Sequence, residues 1–439
     1  MNSNYDYMLL QLSKMSRREL TVALARLIKD QNITQTEVLK IIPRMKPISE
    51  SKPDFLKLNC VKVAIRVQYD GTDFSGLAYQ GTEKQALTVE NLFIAALQQA
   101  YLLPRDMSTL VYQFCRCGRT DTGVSGIDQV FSFYLRCNFD SGLTFGDLIR
   151  IFEEKKATWA VRHAARQERL KNFALKKQQE LNKNDNNNID DENSEEESEA
   201  ETRPHMNGIP ADPKFDQLNT NNYIEAINKY LPSSIRATEY CFVDEQFHSR
   251  FSAKSRKYTY YLPKICSAQQ LNNLGQILVG THDFRFFCVQ KPNVNNFVRT
   301  IYSFTVDEHE QFLAVKITGS AFLYHQIRCT MSVLSLVVSG TLSEETMRKW
   351  LKPEGIKPFY RIAPAELLQF CGVEYDESWK LNWKKNVVQR YIDRDEQQKG
   401  EISFIGLAQG EMWKGDPVGW FLASIGKDDK RVGQILAAK

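Results

Sequence analysis

The chain is 439 residues long, with 42% hydrophobic and 25% charged residues, the make-up of a globular protein of two domains or one two-lobed unit. No apolar run reaches the length of a membrane span, and the start M-N-S-N-Y-D-Y lacks a secretory signal, which excludes an integral membrane protein and points to cytoplasm or nucleus. Net charge is +4, but removing the nine acids between Asp185 and Glu201 raises the remainder from +4 to +13, a surplus suited to a polyanion such as nucleic acid.

Residues 1–55 read as a helical N-terminal extension, its leucines spread through a basic segment that ends at Pro43 and Pro47. From 56 to 180 the pattern is α+β. Val61, Val63, Ile65 and Val67 alternate with Lys62, Arg66 and Gln68, predicting a strand with one wet face. The turn Y-D-G-T-D-F-S-G follows at 69–76. Thr88 is an N-cap for a helix whose stripe is Val89, Leu92, Phe93, Ala96 and Ala100. Leu110–Tyr112 reads as a strand, and Phe131, Phe133 and Leu135 mark the next one by their period of two.

Between these two strands lies the densest stretch of the chain, C-R-C-G-R-T-D-T-G-V-S-G at 115–126. A polar, glycine-punctuated loop on a strand scaffold is where chemistry is often mounted. Asp121 sits at its centre with Arg119 two residues away, and a guanidinium beside a carboxylate keeps it ionised. An ionised Asp can act as nucleophile or base; an Asp–Arg pair that merely stiffens a turn is the other reading. Cys115 and Cys117 have no second Cys/His pair at zinc spacing, so no metal site is expected. The nine scattered cysteines read as reduced thiols.

Residues 153–180 form a basic helical run, and the Asn- and Glu-rich stretch within 181–215 is too poor in apolar residues to fold. From 216 to 375 a second α+β unit is expected. Tyr223, Ile227 and Leu231 mark a short helix before Pro232. The stretch F-H-S-R-F-S-A-K-S-R-K-Y-T-Y-Y-L at 247–262 interleaves aromatics with Arg250, Arg256 and Lys257. Such a strand suits unstacked bases, though a sheet with Tyr inside and Lys at the rim reads the same way. A helix over 271–279 and strands at 299–306 and 312–318 follow. A last helix, running from just after Gly319 to Gly340, sets His325 and Arg328 near its start. Residues 376–439 read as a C-terminal extension packed on the second unit. Two similar units could join their sheets and leave a basic cleft.

C-G-R-T-D-T-G-V-S at 117–125, F-H-S-R-F-S-A-K-S-R-K-Y-T-Y at 247–260, G-S-A-F-L-Y-H-Q-I-R at 319–328 and the opening turn at 69–76 together resemble the tRNA pseudouridine synthase I (TruA-like) family, in order and spacing over about 58–375. G-T-H-D-F-R at 280–285, F-V-R-T-I at 297–301 and H-Q-I-R-C at 325–329 resemble its eukaryotic branch, which modifies positions 38 and 39 of tRNA. Thr122, Gly126-Ile127 and Phe286 depart from that branch and bear on substrate choice rather than chemistry. The resemblance implies an α+β fold of two ferredoxin-like or RRM-like lobes with joined antiparallel sheets and a central basic cleft. It implies an isomerase that turns uridine into pseudouridine in the anticodon stem-loop, without cofactor or metal. Asp121 would be the essential carboxylate, Arg119 its partner, and Tyr258 the aromatic on the base. Arg250, Arg256, Lys257, His325 and Arg328 would contact RNA. The partner would be tRNA, with a homodimer as a further expectation because family members are often dimers. Another RNA target, or a catalytically silent tRNA-binding protein on the same fold, are the alternatives.

Overall fold

The computed structural model describes residues 54–80, 86–161, 168, 212, 214–292, 294–385, 416–432 and 434. The expected N-terminal extension up to residue 53, the acidic stretch, most of the basic run and residues 386–415 of the C-terminal extension lie outside the described residues. Among the described residues no helix is long and apolar enough to cross a membrane.

Ten strands form one sheet in the order β10-β4-β1-β3-β9-β5-β8-β7-β6, with β2 paired to β3. The strands are β1 Cys60–Tyr69, β2 Cys115–Arg116, β3 Ser125–Arg136, β4 Ile235–Phe242, β5 Ala253–Pro263, β6 Gly280–Asp283, β7 Val298–Glu308, β8 Phe312–Gly319, β9 Leu368–Tyr375 and β10 Lys384–Lys385. Among the described residues all the pairings are antiparallel except one: β3 meets β9 in parallel through Ser125↔Gln369 and Gly126↔Phe370. That short junction joins the two halves of the sheet.

The first half is roofed by α1 (Val89–Gln99), capped as expected by Thr88, whose Oγ1 accepts from the Asn91 N–H at 3.3 Å. Phe93 of α1 packs on Phe131 and Phe133 of β3, with ring centroids 4.9 and 6.0 Å apart. α2 (Tyr223–Asn228) and β4 join this same core. The sequence order assigns 223–242 to the second half; the structure puts it in the first, because β4 pairs with β1 along the edge left free by β3.

The second half packs α3 (Ala268–Gln276) and α4 (Gln326–Val338) on β5, β7 and β8. The small hydroxyls of α4 serve close packing: Ser332 and Ser335 are fully buried. Gly340 closes the helix at φ +75, a conformation that favours glycine. Gly275 of α3 lies so close to β7 that a Cβ there would be 2.0 Å from the Phe304 ring. A helical Gly→Ala change normally stabilises by about 1 kcal/mol. Here overpacking reverses the sign, and Gly275→Ala is expected to lower stability by about 1–3 kcal/mol, read as an earlier urea midpoint at unchanged slope.

Several sequence expectations need correction. Leu110–Tyr112 is a turn, not a strand, since Gln113 adopts φ 53 and the Phe114 N–H folds back to the Thr109 carbonyl at 2.9 Å. The second face of β1 is not wet. Val243, Phe247 and Cys241 cover it, with Trp379, Leu381 and Trp383 packed against them. Lys62 is 5% exposed, its Nζ donating to the Glu245 carbonyl at 2.5 Å, and burial lowers its pKa to about 8. The C-terminal extension is accordingly split. β10 adds to β4 on the first half, while α5 (Pro417–Ser424) seats Phe421 in the second core. Finally, residues 320–325 are not helical. Their backbone is held by neighbours instead: the Ser320 N–H donates to the Thr300 carbonyl at 3.0 Å, and the Tyr324 carbonyl accepts from the Val289 N–H at 3.0 Å.

Candidate active site

The loop from Cys117 to Val124 links β2 to β3 at the parallel junction, and its shape is fixed from below. Cys117 Sγ donates to Gln129 Oε1 at 2.7 Å, and Gln129 Nε2 donates to the Gly118 carbonyl at 3.2 Å. The Thr120 carbonyl accepts from the Leu77 N–H at 3.2 Å, and its hydroxyl shares a hydrogen bond of 2.8 Å with Tyr69. The turn at 69–76 is therefore the floor of the loop. Its Gly71 N–H donates to Ser125 Oγ at 3.0 Å, and a Cβ on Gly71 would lie 2.0 Å from the Val124 carbonyl oxygen. Gly126 has a similar reason: a Cβ there would come within 2.7 Å of the Tyr69 ring. The loop then turns, with the Val124 N–H on the Asp121 carbonyl at 3.2 Å and Gly123 at φ +82.

This frame aims Asp121 at the second half of the molecule. Its Oδ2 lies 3.2 Å from His325 Nε2 and 3.3 Å from an Arg328 Nη1 that donates to it. The carboxylate is 24% exposed, whereas both partners are at 15%, so it is the more open member of the trio. Burial pushes its pKa up, but the His325 hydrogen bond and the positive charges of His325 and Arg328 outweigh that and hold the carboxyl below the ordinary 3.8. Arg328 is itself oriented by a second hydrogen bond, from Nε to the Ala363 carbonyl at 2.8 Å. His325 sits at the N-cap of α4 with left-handed φ 60, a conformation that is unusual for a residue with a side chain and tends to cluster at functional sites. Its ring stacks on Tyr324 at 3.7 Å between centroids.

The sequence pairs Asp121 with Arg119; the structure does not. Arg119 is exposed and makes no ion pair with Asp121 among the described residues. The charge that keeps Asp121 ionised comes instead from across the junction.

Tyr258 on β5 lies beside the loop, its hydroxyl 4.0 Å from where a Gly118 Cβ would be. Phe322 and Phe370 meet its ring edge-on at 5.2 and 5.1 Å. Burial raises its pKa far above the usual phenol value, so it stays a neutral hydroxyl at physiological pH. Arg256 is placed differently from expectation. Its guanidinium donates to the carbonyls of Ser320 at 2.8 Å, Cys117 at 3.2 Å, Ala253 at 3.3 Å and Arg250. It thereby ties the Asp121 loop to the segment before α4. Lys257 points away to Glu374 at 2.5 Å, on the surface. Arg250 is exposed, with its guanidinium 5.5 Å from the Phe251 ring. Of the expected site residues, Asp121, His325, Arg328 and Tyr258 converge; Arg119, Arg250 and Lys257 lie at the periphery. The Tyr69–Thr120 bond and the Ala363 carbonyl escaped sequence reading. Tyr69 opens a turn already singled out, but nothing in the chain advertises a backbone carbonyl.

A family model described as tRNA pseudouridine synthase matches residues 275–376, which contain His325 and Arg328. The tRNA pseudouridine synthase A of Bacillus subtilis is 31% identical over 168 residues, covering 34% of this chain and 68% of that protein. The chain belongs to the tRNA pseudouridine synthase family. Within it, the tRNA pseudouridine(38/39) synthase of Saccharomyces cerevisiae is 27% identical over 370 residues, 83% of this chain and 67% of the relative. The human tRNA pseudouridine(38/39) synthase is 29% identical over 331 residues, 72% of this chain and 54% of the relative. The matches thus span about two thirds of the yeast synthase and about half of the human one.

Proposed function

We propose that this chain isomerises uridine to pseudouridine in tRNA, at positions 38 and 39 of the anticodon stem-loop. The observation that carries the reading is the partly open Asp121 carboxylate, held ionised between His325 and Arg328 beside a neutral Tyr258. The choice of positions rests on the names of the relatives.

The reaction is an internal exchange. The bond from ribose C1′ to uracil N1 breaks, the base turns, and C1′ bonds to C5. The C5 proton is lost and N1 gains one, so atoms balance without oxidant, reductant or energy source. Asp121 supplies the attacking carboxylate, at either the ring or the sugar. The Arg328 charge keeps it unprotonated while the leaving base passes negative charge into the site. Tyr258 offers a flat ring for the uracil and a hydroxyl that stays protonated. The target nucleotide has to leave its stack to reach Asp121, a cost offset by aromatic and phosphate contacts.

Incubating the pure chain with unmodified tRNA transcripts and mapping the product tests this directly. Pseudouridine at positions 38 and 39 is the expected outcome. Product at other positions moves the target, and no product with tight tRNA binding leaves a silent RNA-binding protein. Homodimer formation and a cytoplasmic or nuclear location belong to the same proposal, and are read from light scattering and from imaging of the tagged chain.

A further inference from the structure

A cleft of about 540 Å³ opens beside the site, lined by Arg285, Gln290, Lys291, Asn295 and Phe297 among others. It is a wide, open hollow on the surface rather than an enclosed pocket. Its chemistry favours an anion. Arg285 is partly neutralised by Asp283 at 3.1 Å, and its Nε–H is buried without an acceptor, an unusual state for so strong a donor. Lys291 has no carboxylate partner among the described residues. Instead its ammonium sits 3.7 Å from the centre of the Tyr324 ring, a cation–π contact that positions the charge and leaves its N–H donors free to turn outward.

The cleft is also linked to the chemistry. Tyr324 lies between Lys291 on one side and the His325 ring, 3.7 Å away, on the other, and His325 holds Asp121 at 3.2 Å. The backbone enforces this neighbourhood, because the Val289 N–H donates to the Tyr324 carbonyl at 3.0 Å. One stacked ring pair therefore separates the cationic wall from the reacting carboxylate. An RNA chain whose target base is flipped onto Asp121 must carry its flanking phosphates somewhere close by.

We propose that this cleft seats a nucleotide flanking the target uridine, with its phosphate on Lys291 and Arg285. The inference rests on the RNA-modifying reading above and adds a place and a chemical class for one contact. Lys291 acts on binding and register rather than on bond breaking, since a stacked ring pair stands between it and Asp121.

The test compares the wild type, Lys291→Gln, Lys291→Arg and a control, Lys349→Gln, whose lysine is an exposed residue outside the cleft lining, in an ion pair with Glu345. Lys291 is exposed, so its replacements should fold. With a tRNA transcript, Lys291→Gln is expected to raise KM about tenfold, as for one lost charge-assisted contact, with kcat within about twofold. The slope of log affinity against log salt should become shallower by about 0.7 to 0.9. Lys291→Arg should recover most of both. An unchanged KM and salt slope in Lys291→Gln, with a wild type that makes pseudouridine, overturns the cleft assignment while leaving the function intact. Phosphate inhibition relieved by Lys291→Gln at unchanged RNA KM marks a free-anion site and also overturns it. A wild type that binds tRNA but makes no pseudouridine removes the reading on which the inference stands.

Discussion

Replacing Asp121 by asparagine is expected to lower pseudouridine formation by at least about 10⁴-fold, while tRNA affinity changes little. The substitution keeps the volume and one oxygen near His325 and Arg328, so the loop keeps its frame: every hydrogen bond that shapes it from below uses other atoms. What is lost is the charge that can attack, and no other carboxylate is paired with His325 or Arg328 among the described residues. Loss of the RNA-contacting surface is not expected, because Asp121 is an anion and repels phosphate if anything. The measurement is product per tRNA in a single turnover beside a binding isotherm. An asparagine variant with wild-type turnover would remove Asp121 from the chemistry.

The second large effect is expected at Arg328. Arg328→Gln removes the charge 3.3 Å from Asp121 and the tie to the Ala363 carbonyl. A loss of about 10² to 10³-fold in kcat follows from removing one aimed electrostatic group. The pH profile tells this apart from simple misfolding. Asp121 has its carboxyl depressed in the folded protein, so its ionised form is present above that depressed value and is lost as pH falls through it. Without Arg328 the depression weakens while the burial that raises the carboxyl stays. The acid limb of kcat/KM should therefore move to higher pH, and relative activity should recover as pH rises. An acid limb that does not move, in a variant shown to be folded, would mean that Arg328 only supports the backbone.

Local patterns in the sequence reported local structure well. The Thr88 cap, the strand at β3 and the Gly340 stop each depend on residues within a few positions of one another, and each is where the spacing places it. The Asp loop was legible as a site because its polarity and glycines stand out between apolar flanks. The partners of Asp121 were not legible by distance. The nearest arginine in the chain is two residues away, but the arginine that meets it is 207 residues away. The start of α4 failed for a related reason: 320–325 has helix-compatible composition, but β5, β7 and the segment at 289 claim its backbone groups first. The wet face of β1 failed because its cover comes from far along the chain: Val243 and Phe247, with Trp379, Leu381 and Trp383 packed against them.

The parallel junction between β3 and β9 has a consequence for biogenesis. The first core is complete once residue 242 is made, since β1, β3, α1, α2 and β4 supply it. The Asp121 loop, however, has no His325, no Arg328 and no β9 beneath its exit until synthesis passes residue 375. At ordinary ribosomal rates that interval is on the order of ten seconds. During it the edge of β3 at Ser125 and Gly126, where β9 will later pair, has no partner yet. The same two-residue contact that assembles the site is therefore among the last to be supplied during synthesis.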